Sequence, residues 1–186
     1  MYWWLFEKVT TNISCLINLT FLICFFHYFF ISLYVKLKKN KKMQVFIIGG
    51  VWDTFKILDK RRLRKQLIEC RQILAVYNGT SQSWKNHPIV KSYRPYQKWL
   101  TIYTWMLEEF LQEKSDFLML MHYNKWLREN APKFHTEAYF NQMKRRLYTK
   151  DKAFYEGFKH LGESFINWYY VDGEWLYYKD GKKVKK

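Results

Sequence analysis

Glu69 follows a run of cations, Lys60, Arg61, Arg62, Arg64 and Lys65. A carboxylate in such a field can move protons or stabilise a cationic intermediate beside a bound polyanion. The competing reading is a solvated Lys65–Glu69 pair at i,i+4, worth ~0.3–0.5 kcal/mol. Helix pattern alone favours that pair. A second group, Trp84, Lys85, Asn86, His87 and Pro88, lies beyond a short loop. His87 there suits a helix cap or a polyanion contact equally well. Lys91, Arg94 and the run Lys144, Arg145, Arg146 complete a set of cations that could meet phosphates.

The elements that must position these groups are helical. Leu63, Leu67, Cys70, Leu74 and Tyr77 recur at helical spacing and predict a helix over about 59–77, ended by Asn78-Gly79. Glu69 then lies on its flank beside Arg62, Lys65, Gln66 and Ile73. Pro88 fits a first helical turn capped by Asn86 or His87. Pro95 starts or kinks a long helix reaching about Glu113, with Trp99, Tyr103, Met106 and Phe110 inward. "DFLMLMHYNKWLREN" predicts a further helix or a partly helical connector. Thr136 is placed to cap one from Glu137 to about Tyr148, and Asp151 a short one through Phe158. The period then changes: "YYVDGEWL" and "YYKDGKKV" carry Asp-Gly turn dipeptides between aromatic runs, which predicts a hairpin or meander.

The formal net charge is +16 and aromatics make up 21% of the chain, which together suggest a nucleic acid with bases to stack or wedge. Cys15, Cys24 and Cys70 form no disulfide framework or metal spacing, and no His pair sits at i,i+4 with an acid, so neither metal nor cofactor is expected. Residues 1–42 differ from the rest. Their 23-residue run "ISCLINLTFLICFFHYFFISLYV" is long enough for a transmembrane helix, and "KLKKNKK" would keep the downstream side cytoplasmic. The rival reading is upstream frame, with Met43 as the true start. From Met43 onward 26 Lys+Arg stand against 15 Asp+Glu, so the charge argument survives at +11.

Leu58, Asp59, Arg61 (in place of Lys), Arg62, Leu63, Lys65, Gln66 and Glu69, then Trp84, Asn86, His87, Pro88 and Val90, form a pattern in order. It resembles the pyrimidine-dimer DNA glycosylase family, in the wider branch with LD-x-K-R-L-x-K-Q-x-x-E and W-x-N-H-P-x-V. "FHTEAYFNQMKRRLYTKDKAFYEGF" is similar to that family's closing segment, and "MQVF" to its first residues. Arg64 stands where Gly is common, Leu67 where Arg is common, and Met143, Lys144 and Arg145 where His-Arg-Ser is usual.

The resemblance implies an all-α, compact helical domain over 43–160, here with an aromatic β-hairpin-like tail over 161–186. It implies excision of damaged pyrimidines from double-stranded DNA through an imine between an amine and C1′, followed by abasic-site strand cleavage. Glu69 matches the family's glutamate, and the α-amine of Met43 is the nucleophile if the chain starts there. An α-amine, with pKa about 7.7–8.0, is neutral far more often than an ordinary lysine near 10.4. Arg61, Arg62, Lys65, Gln66, Trp84, Lys85, Asn86, Lys91, Arg94, Lys144, Arg145 and Arg146 are the expected DNA contacts, with His87 a further catalytic candidate. The expected location is intracellular, with DNA. The alternatives are a non-catalytic DNA-binding protein on the same fold and a membrane-anchored structural protein whose C-terminal domain is cytoplasmic.

Overall fold

Residues 43–48 are the apolar run MQVFII, and all six are buried. A buried backbone must find partners for its N–H and C=O groups, and among the described residues no strand pairs with this one. Side chains replace the missing ladder. Gln66 Oε1 accepts from Phe46 N at 2.8 Å and its Nε2 donates to Phe46 O at 3.0 Å. Thr54 Oγ1 accepts from Ile48 N at 3.1 Å. Tyr139 and Tyr169 hydroxyls donate to Val45 O and Met43 O at 3.2 and 3.3 Å. The computed structural model describes residues 43–113, 117–180 and 182–184. The apolar span and basic run expected within 1–42 lie outside them, and no helix among the described residues is long and apolar enough to cross a membrane.

Around this segment lie six helices: α1 (Val51–Ile57), α2 (Lys60–Tyr77), α3 (Pro88–Tyr93), α4 (Gln97–Gln112), α5 (Phe117–Glu129) and α6 (Glu137–Lys150). Their starts follow local chemistry. Asp59 caps α2 by accepting from Arg62 N at 3.0 Å. His87 Nδ1 accepts from Ile89 N at 3.2 Å ahead of Pro88, and Thr136 Oγ1 accepts from Tyr139 N at 3.3 Å. Pro95 falls in a 3-10 turn, Arg94–Tyr96, that leads into α4. A second 3-10 turn, Glu156–Leu161, follows Asp151, whose carboxylate accepts from Phe154 N at 3.1 Å.

The expected tail is a three-stranded antiparallel meander, β1 (Ile166–Val171), β2 (Glu174–Lys179) and β3 (Lys182–Val184), in sequence order. Val171 pairs with Glu174 across a turn in which Asp172 and Gly173 have φ of 52° and 87°. Two left-handed residues in succession are what a tight hairpin with right-handed strand twist requires. Alternate β1 residues Asn167, Tyr169 and Val171 are buried, and Gln142 of α6 donates to Ile166 O at 2.7 Å. The sheet therefore shares the helical core.

Aromatic side chains build much of the core among the described residues. Tyr93, Trp99 and Tyr103 stack in series, with Trp99 Nε1 donating to Leu127 O at 2.8 Å. Phe134, His135, Tyr139 and Trp175 form an adjoining cluster. Phe154 and Phe165, 57% and 58% exposed, are the large aromatic side chains left open among the described residues.

Candidate nucleic-acid cleft

The buried face of α2 is Leu63, Gln66, Glu69, Cys70, Ile73 and Val76, with Leu67, Leu74 and Tyr77 half-buried. The face is turned from the expected stripe toward Gln66 and Glu69, because the 43–48 segment needs hydrogen-bond partners that leucines cannot supply. Glu69 is only 9% exposed. Its Oε2 accepts from Gln44 N at 3.3 Å, and Lys65 Nζ approaches Oε1 at 3.5 Å. The expected Lys65–Glu69 pair is thus present, but its carboxylate is not on a solvated face. Loss of hydration by burial pushes Glu69 above the usual carboxylate range; Lys65, the Gln44 N–H and Lys150 pull the other way without prevailing. A glutamate so placed can take up and return a proton.

Glu69 opens into a cleft of about 410 Å³ lined by Gln44, Phe46, Asp59, Arg61, Arg62, Lys65, Gln66, Lys150 and Asp151. The acids at its far end are already engaged. Asp59 takes hydrogen bonds from Arg62 and from the Tyr155 hydroxyl at 2.8 Å, and Asp151 lies 3.6 Å from Arg62. Burial alone would raise Asp59, but these bonds and the Arg62 charge hold it below its usual value. Arg62 also lies over the Tyr155 ring, 5.0 Å from its centroid. Arg61 and Lys65 are exposed at the cleft and face no such set of acids.

Lys150, at the C-terminus of α6, enters the cleft from the opposite end of the sequence. Its ammonium sits 4.5 Å from the centroid of Phe46. Lys150 is exposed as a residue, yet protein atoms crowd its amine and cost the ammonium part of its hydration, and Arg146, Lys65 and Arg62 repel its charge. Together these bring it from 10.5 to about 8, against the attraction of Glu69. The Phe46 ring favours the cation by ~0.5–1 kcal/mol, under one pKa unit, too little to reverse the shift.

The expected site residues separate into groups. Arg61, Arg62, Lys65, Gln66 and Glu69 converge on the cleft. Gln66, expected to touch DNA, is 2% exposed, and its amide is spent on Phe46 and the Tyr103 hydroxyl. Its place is structural. Arg146 is likewise only 6% exposed, with Nε and Nη1 lacking hydrogen-bond partners among the described residues. Lys144 is half-buried and Arg145 exposed. Trp84, Lys85, Asn86, Lys91 and Arg94 do not line the cleft; Trp84, at φ 70°, packs its ring against His87. Met43 is 2% exposed, one residue before the amide that touches Glu69. Lys150, Phe46, Gln44, Asp59 and Asp151 line the cleft but stand outside the set of site residues expected from the sequence. The available signal was the i,i+4 spacing of Arg146 and Lys150, which sets both on one face of α6.

His87 does not line the cleft either. Burial lowers it from 6.5 to about 4, and lowers His135, bonded to the Tyr93 hydroxyl at 2.9 Å, to about 3. Between 6.5 and these values the unfolded chain binds protons that the folded chain does not, so stability is full above 6.5 and falls as pH drops. The urea midpoint is expected to be lower at about pH 5 than at about pH 7. His87→Asn, which still caps α3 but does not titrate, should narrow that gap.

Among the described residues no group of His, Cys, Asp and Glu is arranged to hold a metal. Cys70 is buried, and burial pushes its thiol up, so it is not a nucleophile. No curated protein and no solved structure matches the chain. Residues 43–114, which carry the 43–48 segment, Glu69 and the Gln66 clamp, match the family model described as Pyrimidine dimer DNA glycosylase.

Proposed function

We propose that the protein is a DNA-repair glycosylase that excises damaged pyrimidines and then nicks the strand at the abasic site. The observation that carries this reading is Glu69, buried and raised in pKa, at the wall of a cation-lined cleft inside the family-matched segment. Arg61 and Lys65 would meet the phosphates and Arg62, braced by Asp59, would fix the approach. An amine attacks C1′, the glycosidic bond breaks, and its electron pair leaves with the base. Glu69 accepts the proton that the amine loses and passes it to O4′ as the sugar ring opens to a protonated imine. The carboxylate, again ionised, then removes a C2′ proton, and the C3′–O bond breaks with the phosphate as leaving group. In a chain that begins at Met43, the amine is its own α-amine, one residue from the Glu69 contact.

Sodium borohydride trapping on duplexes carrying a pyrimidine dimer or an abasic site tests the reading. The expected result is a covalent protein–DNA adduct and nicking without added metal. Salt-dependent duplex binding with neither adduct nor cleavage would replace it with non-catalytic DNA binding.

A further inference from the structure

In the 186-residue chain the nitrogen of Met43 is an amide joined to Lys42, and an amide nitrogen does not attack C1′. The cleft nevertheless contains an amine. Lys150 lines the same cleft as Glu69, and its Nζ rests on the face of Phe46. Phe46 is itself held at both its N–H and its C=O by Gln66. The ring that props the lysine is therefore fixed to the helix that carries Glu69.

The other lysine of the cleft, Lys65, is held as the ammonium by Glu69 at 3.5 Å. Lys150 makes no ion pair within 4 Å among the described residues, and the attraction of Glu69 is outweighed by burial and the neighbouring cations. The charged groups around it are Arg146 on its own helix, Lys65, Arg62 and Glu69 on α2, and Asp151 beside it in the cleft lining.

We propose that Lys150 supplies the imine-forming amine in the chain that continues upstream of Met43. This assignment rests on the glycosylase–lyase reading above. Neutral Nζ bonds to C1′ as the C1′–N bond breaks; the departing base takes up a proton from water. Nζ gives one proton to Glu69, O4′ receives it on ring opening, and Nζ keeps one proton in the imine. After β-elimination, water hydrolyses the C1′=Nζ bond and returns the free amine. Burial of the amine, with the cations around it, brings Lys150 to about 8 and leaves a neutral fraction near neutral pH that can attack C1′.

The test uses the full 186-residue chain with an abasic-site duplex and sodium borohydride, which reduces an imine to a stable secondary amine. Mass spectrometry of the digested adduct is expected to place the sugar on Lys150. Trapping should increase with pH through about 8. Lys150→Arg, which keeps the positive charge but cannot form the imine, should lose trapping while still binding the duplex. An adduct mapped to another amine, or undiminished trapping by Lys150→Arg, overturns the assignment and leaves the imine chemistry standing. Absence of any adduct with the wild-type chain overturns both.

Discussion

Glu69→Gln is expected to lower base excision and strand nicking by roughly 10²–10⁴-fold, the usual range for a positioned proton-transfer group. Duplex binding should persist, because Arg61 and Lys65 remain at the cleft. The same substitution should raise Tm at neutral pH. Burial raises the Glu69 pKa, so the folded chain holds this proton more tightly than the unfolded chain. Stability from that difference is full below the ordinary value of 4.5 and is lost as pH rises through the folded pKa. Gln cannot ionise and still offers an oxygen to Gln44 N. The paired Lys65 side chain is 61% exposed, so its lost bridge removes little. Thermal melts and nicking rates across pH check both halves. A variant with lower Tm and undiminished nicking would make Glu69 a structural acid.

Gln66→Ala has the largest expected effect on stability. One amide serves Phe46 N, Phe46 O and the Tyr103 hydroxyl, all within the core. Truncation strands three buried polar groups, each at ~1–3 kcal/mol, so a loss of about 3–5 kcal/mol is expected by urea unfolding. Gln66→Glu separates geometry from charge. It can accept from Phe46 N but, ionised, cannot donate to Phe46 O, so it should fall well short of wild type. Loss below about 1 kcal/mol in Gln66→Ala would mean the 43–48 segment is held by its apolar side chains alone.

The sequence made the helices legible wherever capping and breaking are local. Asp59, His87 with Pro88, and Thr136 each act on an N–H two or three residues away, and Asp172-Gly173 sets its turn unaided. The orientation of α2 was not legible, because it depends on the 43–48 segment, which belongs to no sheet. A period of 3.6 ranks leucines above a glutamine and a glutamate, although the backbone they serve needs the polar pair. Lys150 was hidden for a related reason: it reaches Phe46 across more than a hundred residues, and nothing local marks it. Met143, one of the departures from the family pattern, is fully buried and its sulfur receives Gln44 Nε2 at 3.1 Å. The Asp-Gly dipeptides mark the hairpin or meander in the sequence, but its attachment to Met43 through Tyr169 depends on tertiary packing.

That attachment governs how the chain can be made. Met43 O and the Tyr169 hydroxyl are 126 residues apart. At ~5–20 residues per second, translation takes about 6–25 s to deliver the tyrosine after the methionine. The segment's partners arrive piecemeal, Gln66 and Glu69 early, Tyr139 and Tyr169 late. Throughout that interval MQVFII, apolar and prone to pair with any strand, has no finished home on the nascent chain. Lys41 and Lys42 stand directly before it in sequence. Charge at the flank of such a run discourages strand-to-strand association between neighbouring nascent chains.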